Sequence, residues 1–266
     1  QIRELLNLNV DVIIIAPNES EPLTEIVEEI YDKGIPVILI DRETESEQYT
    51  AYIGADNYEI GKTACHFMAS QMNEQGEIVE LQMAMSISPA QDRSNGFRDA
   101  LKNYPNMKIV ATIGELEIGR EITNIDRDFP AILAEHPDLT LVYGHTDIIA
   151  ERAYRIARDK GKANQLFFLG VDGLTGKNGG IQMVEDGILD ASLLYPTGGT
   201  ESIRSAMAIL NNLPIEKRNL LNSTVLDASN ARIINFQTEK VMSLQEGISK
   251  QKKLTEELQS IYKNQH

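Results

Sequence analysis

Short apolar runs alternate with amphipathic stretches along almost the whole chain. The apolar runs at 11–17, 36–41, 50–55, 77–83, 107–113, 139–144, 166–172 and 190–196 read as strands. Between them, apolar positions recur at spacings of three and four. That predicts helices over 21–33, 57–74, 90–103, about 124–135, 147–160, 176–186 and 199–212. Strands that are apolar throughout, separated by helices, are those of parallel sheets covered on both faces. Helix ends are punctuated by Gly, Asn or Pro in "DKGIP" (32–36), "NEQGE" (73–77), "EDGILD" (185–190) and "NNLP" (211–214).

After Asn57, five strand–helix units follow in order, which is enough for one doubly wound domain. Before Asn57 there are three strands, opened by what reads as a helix tail, "QIRELLNL". An open sheet of order 2-1-3-4-5 carries its first strand near the centre. The pattern therefore leads to the expectation that a strand and most of a helix precede Gln1. From residue 237 to 266 the pattern changes to a polar, Lys/Glu/Gln-rich stretch. A thin apolar stripe runs through Val241, Leu244 and Ile248, then Leu254, Leu258 and Ile261. This predicts one helix of roughly 45 Å, either lying on the domain or projecting from it to pair or lead onward.

Composition narrows the partners. The 266 residues carry a formal net charge of −15, with a pI near 4.7, and the basic clusters that nucleic-acid binding needs are missing. Cys65 is the single cysteine, so no internal disulfide framework is possible. No apolar run of 18 residues is present to span a membrane.

In open α/β sheets, ligands bind beyond the carboxyl ends of the strands. Those ends carry Asn18, Asp41 and Arg42, then Asp92 and Arg93, then His145, Thr146 and Asp147, then Asp172, then Tyr195. Carboxylates, guanidinium groups, a hydroxyl and a phenol suit a neutral polyhydroxylated ligand. Each ligand hydroxyl both gives and takes a hydrogen bond, and Asp–Arg forks can satisfy adjacent hydroxyls. A surface ion pair would account for Asp41 and Arg42 alone, but not for their matching groups at other strand ends. "GVDGLTGKNGG" (170–180) invites a phosphate-loop reading, but its Gly170–Gly176 spacing is one residue too long. Asn178 also stands where a Ser or Thr would meet magnesium. No G-x-G-x-x-G follows a strand, and neither a nucleophile elbow nor an H-E-x-x-H motif occurs. His66, His136, His145 and His266 are scattered, so no metal and no cofactor is expected. Cys65, on a predicted helix, reads as a small core residue.

Taken in order, "DVIIIAPNES", "GIPVILIDRE", "YIGADNYEIGKTACHFM", "SPAQDRSNGFRDAL", "LTLVYGHTDIIAERAYRI" and "LFFLGVDG" with "IQMVEDGILDASLLYP" resemble the type I periplasmic sugar-binding proteins of the ribose-binding kind. The resemblance covers about residues 3 to 236. It implies an α/β fold of two doubly wound parallel-sheet lobes, followed by a C-terminal helix. The first lobe would comprise 1–55 and 196–228, the second 56–195 and 229–236, and the helix 237–266. Hinges would lie near Ala55–Asp56, Tyr195–Pro196 and Asp227–Ser229. The resemblance implies that Asp41, Arg42, Arg93 and Asp172 hold the sugar, with Thr146 and Tyr195 standing where relatives place amides and His145 beside them. Ala16 falls where relatives place an asparagine. Glu117 is the nearest match to a stacking aromatic.

The continuation past residue 236 is similar to the sugar-sensing extracytoplasmic domains of hybrid two-component sensor kinases, the fructose-sensing member among them. That likeness implies a non-catalytic monosaccharide sensor, homodimeric, in the periplasmic part of an inner-membrane protein and joined to a membrane helix beyond His266. Three alternatives remain open: a soluble binding protein of an ABC transporter, an enzyme acting on a sugar or sugar phosphate, and the effector domain of a transcription regulator.

Overall fold

The computed structural model describes residues 2–115 and 121–235, together with Ser249, Lys252 and Lys253. The expected helix over 237–266, apart from those three positions, and the Glu117 position lie outside the described residues. The same holds for the strand expected ahead of Gln1.

The first lobe is built on a parallel sheet of β1 (Ile13–Ile15), β2 (Val37–Ile40), β3 (Ala51–Ala55) and β9 (Arg218–Leu221), in that spatial order. Alternation along β2 sends Val37 and Leu39 to one face and Ile38 to the other. α1 (Ile2–Leu6) and α2 (Ser20–Asp32) cover the first face, the latter with Val27 and Ile30. Ala206 of α8 (Gly199–Leu210) covers the second.

The second lobe has six strands in the order β10-β8-β7-β6-β4-β5. They span Thr224–Asp227, Ala191–Leu194, Phe167–Asp172, Leu139–Gly144, Gln75–Ala84 and Asn106–Glu115, respectively. All pairs are parallel except β10 with β8. Both faces are apolar, which is why the strands read as unbroken hydrophobic runs. Ile78, Leu141, Tyr143, Leu169 and Val171 face α3 (Asn57–Gln71) and α4 (Ser88–Leu101). Val79, Val142 and Phe168 face α5 (Glu121–Glu135) and α6 (Asp147–Asp159). Cys65 is fully buried among the first set, and burial pushes its thiol up to about 12.

The chain passes between the sheets at Asp56, again at 195–198 between β8 and α8, and a third time at 222–223 between β9 and β10. The third passage falls ahead of the expected boundary at 228. Neither flanking strand is apparent in the hydrophobic pattern: "RNLL" and "TVLD" are four-residue strands with mostly exposed or half-exposed side chains. Pairing with β3 and β8 specifies them, rather than their own composition. The helix expected from 176 begins at Gly180 as α7 (Gly180–Glu185), because Gly176 and Asn178 take positive φ angles of 89° and 66°.

One helix contact bears directly on the cleft. A Cβ built on Gly61 of α3 would sit 2.2 Å from the Arg93 carbonyl oxygen, and one on Gly96 of α4 would sit 2.0 Å from that of Tyr58. The two helices therefore touch backbone to backbone, and Arg93 is placed by that approach. Gly96→Ala is expected to force α3 and α4 apart and cost about 2–3 kcal/mol of stability, read from denaturant unfolding.

Candidate functional site

A cavity of about 440 Å³ lies between the lobes at the carboxyl ends of the strands. Ala16, Ile40, Asp41 and Arg42 line it from the first lobe. Met83, Ile87, Pro89, Arg93, Thr146, Asp172 and Leu174 line it from the second, and Tyr195 and Thr197 line it from the crossing segment. A larger depression of about 900 Å³ opens at the opposite ends of β4, β5 and β6. There Glu77 is already ion-paired with Lys108 at 2.9 Å.

Asp41 follows directly on β2 and adopts a left-handed φ of 69°, unusual for a residue other than glycine. Its N–H continues the ladder by donating to the Ile53 carbonyl at 3.0 Å. Its own carbonyl accepts from two phenols, Tyr52 Oη at 3.1 Å and Tyr195 Oη at 3.3 Å. Burial raises the pKa of both phenols, which keeps them protonated as donors. The Asp41 carboxylate lies 3.6 Å from Arg42 Nε, while Arg42 Nη1 donates to the Asn18 carbonyl at 2.6 Å. That bond ties the loop after β1 to the loop after β2.

Arg93 stands on the second turn of α4 and is only 3% exposed. Nε donates to Asn57 Oδ1 at 2.9 Å, and Nη1 donates to the His145 carbonyl. Both acceptors are neutral, so they orient the guanidinium without cancelling its charge. Its carbon lies 5.0 Å from the centre of the Tyr195 ring, within cation–π range.

Across the cavity stands Asp172, the last residue of β7, with φ at 124°. Burial, against the pull of Arg93 and with the charge of Asp41 added, pushes its carboxyl up to about 6. Thr146 lines the cavity while its hydroxyl caps α6, accepting from the Ile149 N–H at 3.4 Å. Glu43 N–H reaches Ser88 Oγ at 3.3 Å, a direct hydrogen bond between the lobes.

His145 is placed differently from the residues around it. Its side chain is fully buried behind the cavity wall, where Nε2 meets Glu80 Oε1 at 3.1 Å. Only its backbone carbonyl serves the site. Burial holds the imidazole below its ordinary range, in spite of Glu80. Burial alone would raise Glu80, but hydrogen bonds from His145 and Ser94 and the charge of Arg98 bring it below the usual carboxylate range. The structure thus brings Asp41, Arg42, Arg93, Thr146, Asp172 and Tyr195 to one cavity and sets the His145 ring outside it. Sequence reasoning missed Asn57, the acceptor for Arg93, although it closes the "GADN" segment. It also missed the apolar wall of Met83, Ile87 and Leu174, which carries no motif.

The family model for the periplasmic binding protein domain matches residues 1–214. The chain belongs to the periplasmic binding protein family. A solved structure described as the fructose binding periplasmic domain of hybrid two component system BT1754 is 38% identical. It superposes with a TM-score of 0.87, covering 93% of this chain and 82% of that one. The ribose import binding protein of Escherichia coli (strain K12) is 24% identical over 219 residues, which is 82% of this chain and 71% of that protein. Its counterpart in Bacillus subtilis (strain 168) is 24% identical over 172 residues, 65% of this chain but only 54% of the relative. Among the described residues, no helix is long and apolar enough to cross a membrane.

A carboxylate held at about 6 is destabilising once ionised. The unfolded chain releases that proton near 3.8, so the cost appears as pH rises from about 4 to 6 and is complete above 6. Asp172→Asn should therefore make the unliganded protein more stable than wild type at pH 8, by up to about 3 kcal/mol, with the gap closing toward pH 4. Urea unfolding at the two pH values measures this, and an equal gap at both would contradict it.

Proposed function

We propose that this chain is a monosaccharide-binding sensor domain, with fructose as its ligand. The observation that carries this reading is the buried Arg93 guanidinium. It is held by neutral acceptors and faced across one cavity by Asp172 of its own lobe and the Asp41–Arg42 pair of the other. Hydroxyls on a sugar ring can accept from Arg93 and Arg42 while donating to Asp41 and Asp172. Apolar contact falls to Met83, Ile87 and Leu174, together with the Tyr195 ring. The 38% identity to a fructose binding periplasmic domain supports the choice of sugar and of a two-component partner.

In this reading the domain is periplasmic and binds without catalysis. It pairs as a homodimer and passes its signal through residues 237–266 toward a membrane helix beyond His266. Sugar contacts both lobes, so it favours the closed arrangement only by the affinity difference between closed and open. A second reading, a soluble binding protein that feeds an ABC transporter, draws on the likeness to ribose import proteins. Deleting 237–266 separates the two. In a sensor, sugar affinity should persist while sugar-dependent signalling by the full protein stops.

D-fructose at a hundred times its dissociation constant should stabilise the folded protein by about 2.7 kcal/mol, visible as a rise in melting temperature. Arg93→Ala should abolish that rise while leaving a cooperative unfolding transition. A variant that still responds would remove Arg93 from the site.

Binding should also depend on pH. Sugar hydroxyls donate to ionised Asp172, so a proton competes with the ligand below about pH 6. Affinity measured by calorimetry should fall about tenfold from pH 7 to pH 5. An affinity that is flat across that interval would show that the carboxylate takes no part.

A further inference from the structure

Asp172 and Gly173 take successive positive φ angles of 124° and 57°, and it is this turn that aims the Asp172 carboxylate into the cavity. A non-glycine residue stays in such a conformation only where its surroundings over-determine it. Two hydrogen bonds do so here. Tyr195 N–H donates to the Asp172 carbonyl at 2.9 Å, and Gly173 N–H donates to Asp147 Oδ2 at 2.7 Å.

Asp147 is itself fixed from several directions. It is the first residue of α6 and 3% exposed, and its Oδ1 accepts from Ser192 Oγ of β8 at 2.6 Å. A Cβ on Gly170 would fall 2.3 Å from Oδ1, and one on Gly180 would fall 1.9 Å from Oδ2. Residues 170, 173, 180 and 192, from two strands, a turn and a helix start, therefore close around one carboxylate. Asp147 does not line the cavity. Burial, with the charge of Asp172 added, pushes its carboxyl up to about 7 against the hydrogen bonds from Ser192 and Gly173. An apolar side chain would avoid that cost, but it could not accept from Gly173.

We propose that Asp147 is a positioning residue: by accepting from Gly173 it holds the Asp172–Gly173 turn in the conformation that presents Asp172 to the ligand. The ligand part of this statement rests on the sugar-binding reading above, whereas the hold on the turn can be measured without ligand.

The test compares Asp147→Ala with Asp147→Asn in the full 266-residue chain. An amide can keep both contacts, with its oxygen toward Gly173 N–H and its nitrogen toward Ser192 Oγ, whose hydroxyl turns to accept. The two readouts are hydrogen exchange at the Gly173 amide without ligand, and D-fructose affinity by calorimetry at a temperature where each variant is folded. Asp147→Ala should speed exchange and weaken binding by at least tenfold each, while Asp147→Asn stays within threefold of wild type on both. Unchanged exchange in Asp147→Ala overturns the proposal. So does faster exchange with unchanged affinity, and so does an Asn variant as impaired as the Ala one. If wild type binds no monosaccharide, the sugar reading fails, and exchange alone decides whether Asp147 holds the turn. If Asp147→Ala does not fold, Ser192→Ala takes its place. It frees only Oδ1 and should change both readouts about threefold, and no change in either overturns the proposal.

Discussion

Burying an unneutralised guanidinium between two lobes is the constraint on which the rest of the site depends. Removing an ion from water costs several kcal/mol unless other groups replace its hydration. Arg93 receives partial replacement: the Asn57 amide oxygen, the His145 carbonyl and the face of Tyr195. None of these carries a formal charge. Asp172 and Asp41 supply the negative field at longer range, and burial weakens the ionisation of Asp172 itself. The cavity thus holds polar groups that a folded protein has no structural reason to collect. Each is more costly unliganded than it would be with a hydroxyl-bearing ligand between them.

Such a site needs a rigid frame. Backbone contact of α3 with α4 through Gly61 and Gly96 fixes where Arg93 emerges. Two phenols on one carbonyl fix the left-handed turn at Asp41. Tyr195 links the two halves, since its hydroxyl serves Asp41 of one lobe, its ring serves Arg93 of the other, and its N–H serves Asp172. Moving the lobes apart must break or stretch at least one of these contacts. The crossing segment therefore couples the jaws as well as joining them.

The two-lobe frame and the charged groups could be read from the sequence because each depends on local pattern. Unbroken apolar runs such as "PVILI" mark doubly covered strands, and an acid or base at the end of such a run marks the ligand-facing edge. Features set by long-range partners could not be read in that way. β9 and β10 are strands because β3 and β8 offer them edges. Asn57 becomes an acceptor only when α4 brings Arg93 beside it, 36 positions away. His145 and Thr146 are neighbours in sequence, yet they part company in space. The strand alternation that sends Tyr143 toward α3 and α4 carries the His145 ring in the same direction, onto Glu80. Thr146 caps the next helix and lines the cavity. Position after a strand identifies a neighbourhood; the two-residue period decides which side chain enters it.

The same reasoning shows what Ala16, Thr146 and Tyr195 offer the cavity. Ala16 brings no side-chain hydrogen-bonding group, while the Thr146 hydroxyl uses one lone pair in capping α6 and keeps its O–H free to donate. Tyr195 uses its hydroxyl on Asp41 and so presents the ligand mainly with a ring that already lies beside Arg93. The charged hydrogen-bonding groups of the cavity are Asp41, Arg42, Arg93 and Asp172, with the Thr146 and Thr197 hydroxyls beside them, and Met83, Ile87 and Leu174 form an apolar stretch of the wall. A ligand that satisfies this arrangement must cluster its hydroxyls toward the two Asp–Arg edges and turn a hydrocarbon face to the methionine side. Selectivity would then rest on the directions in which a few hydroxyls point, because few neutral groups remain to reward additional ones.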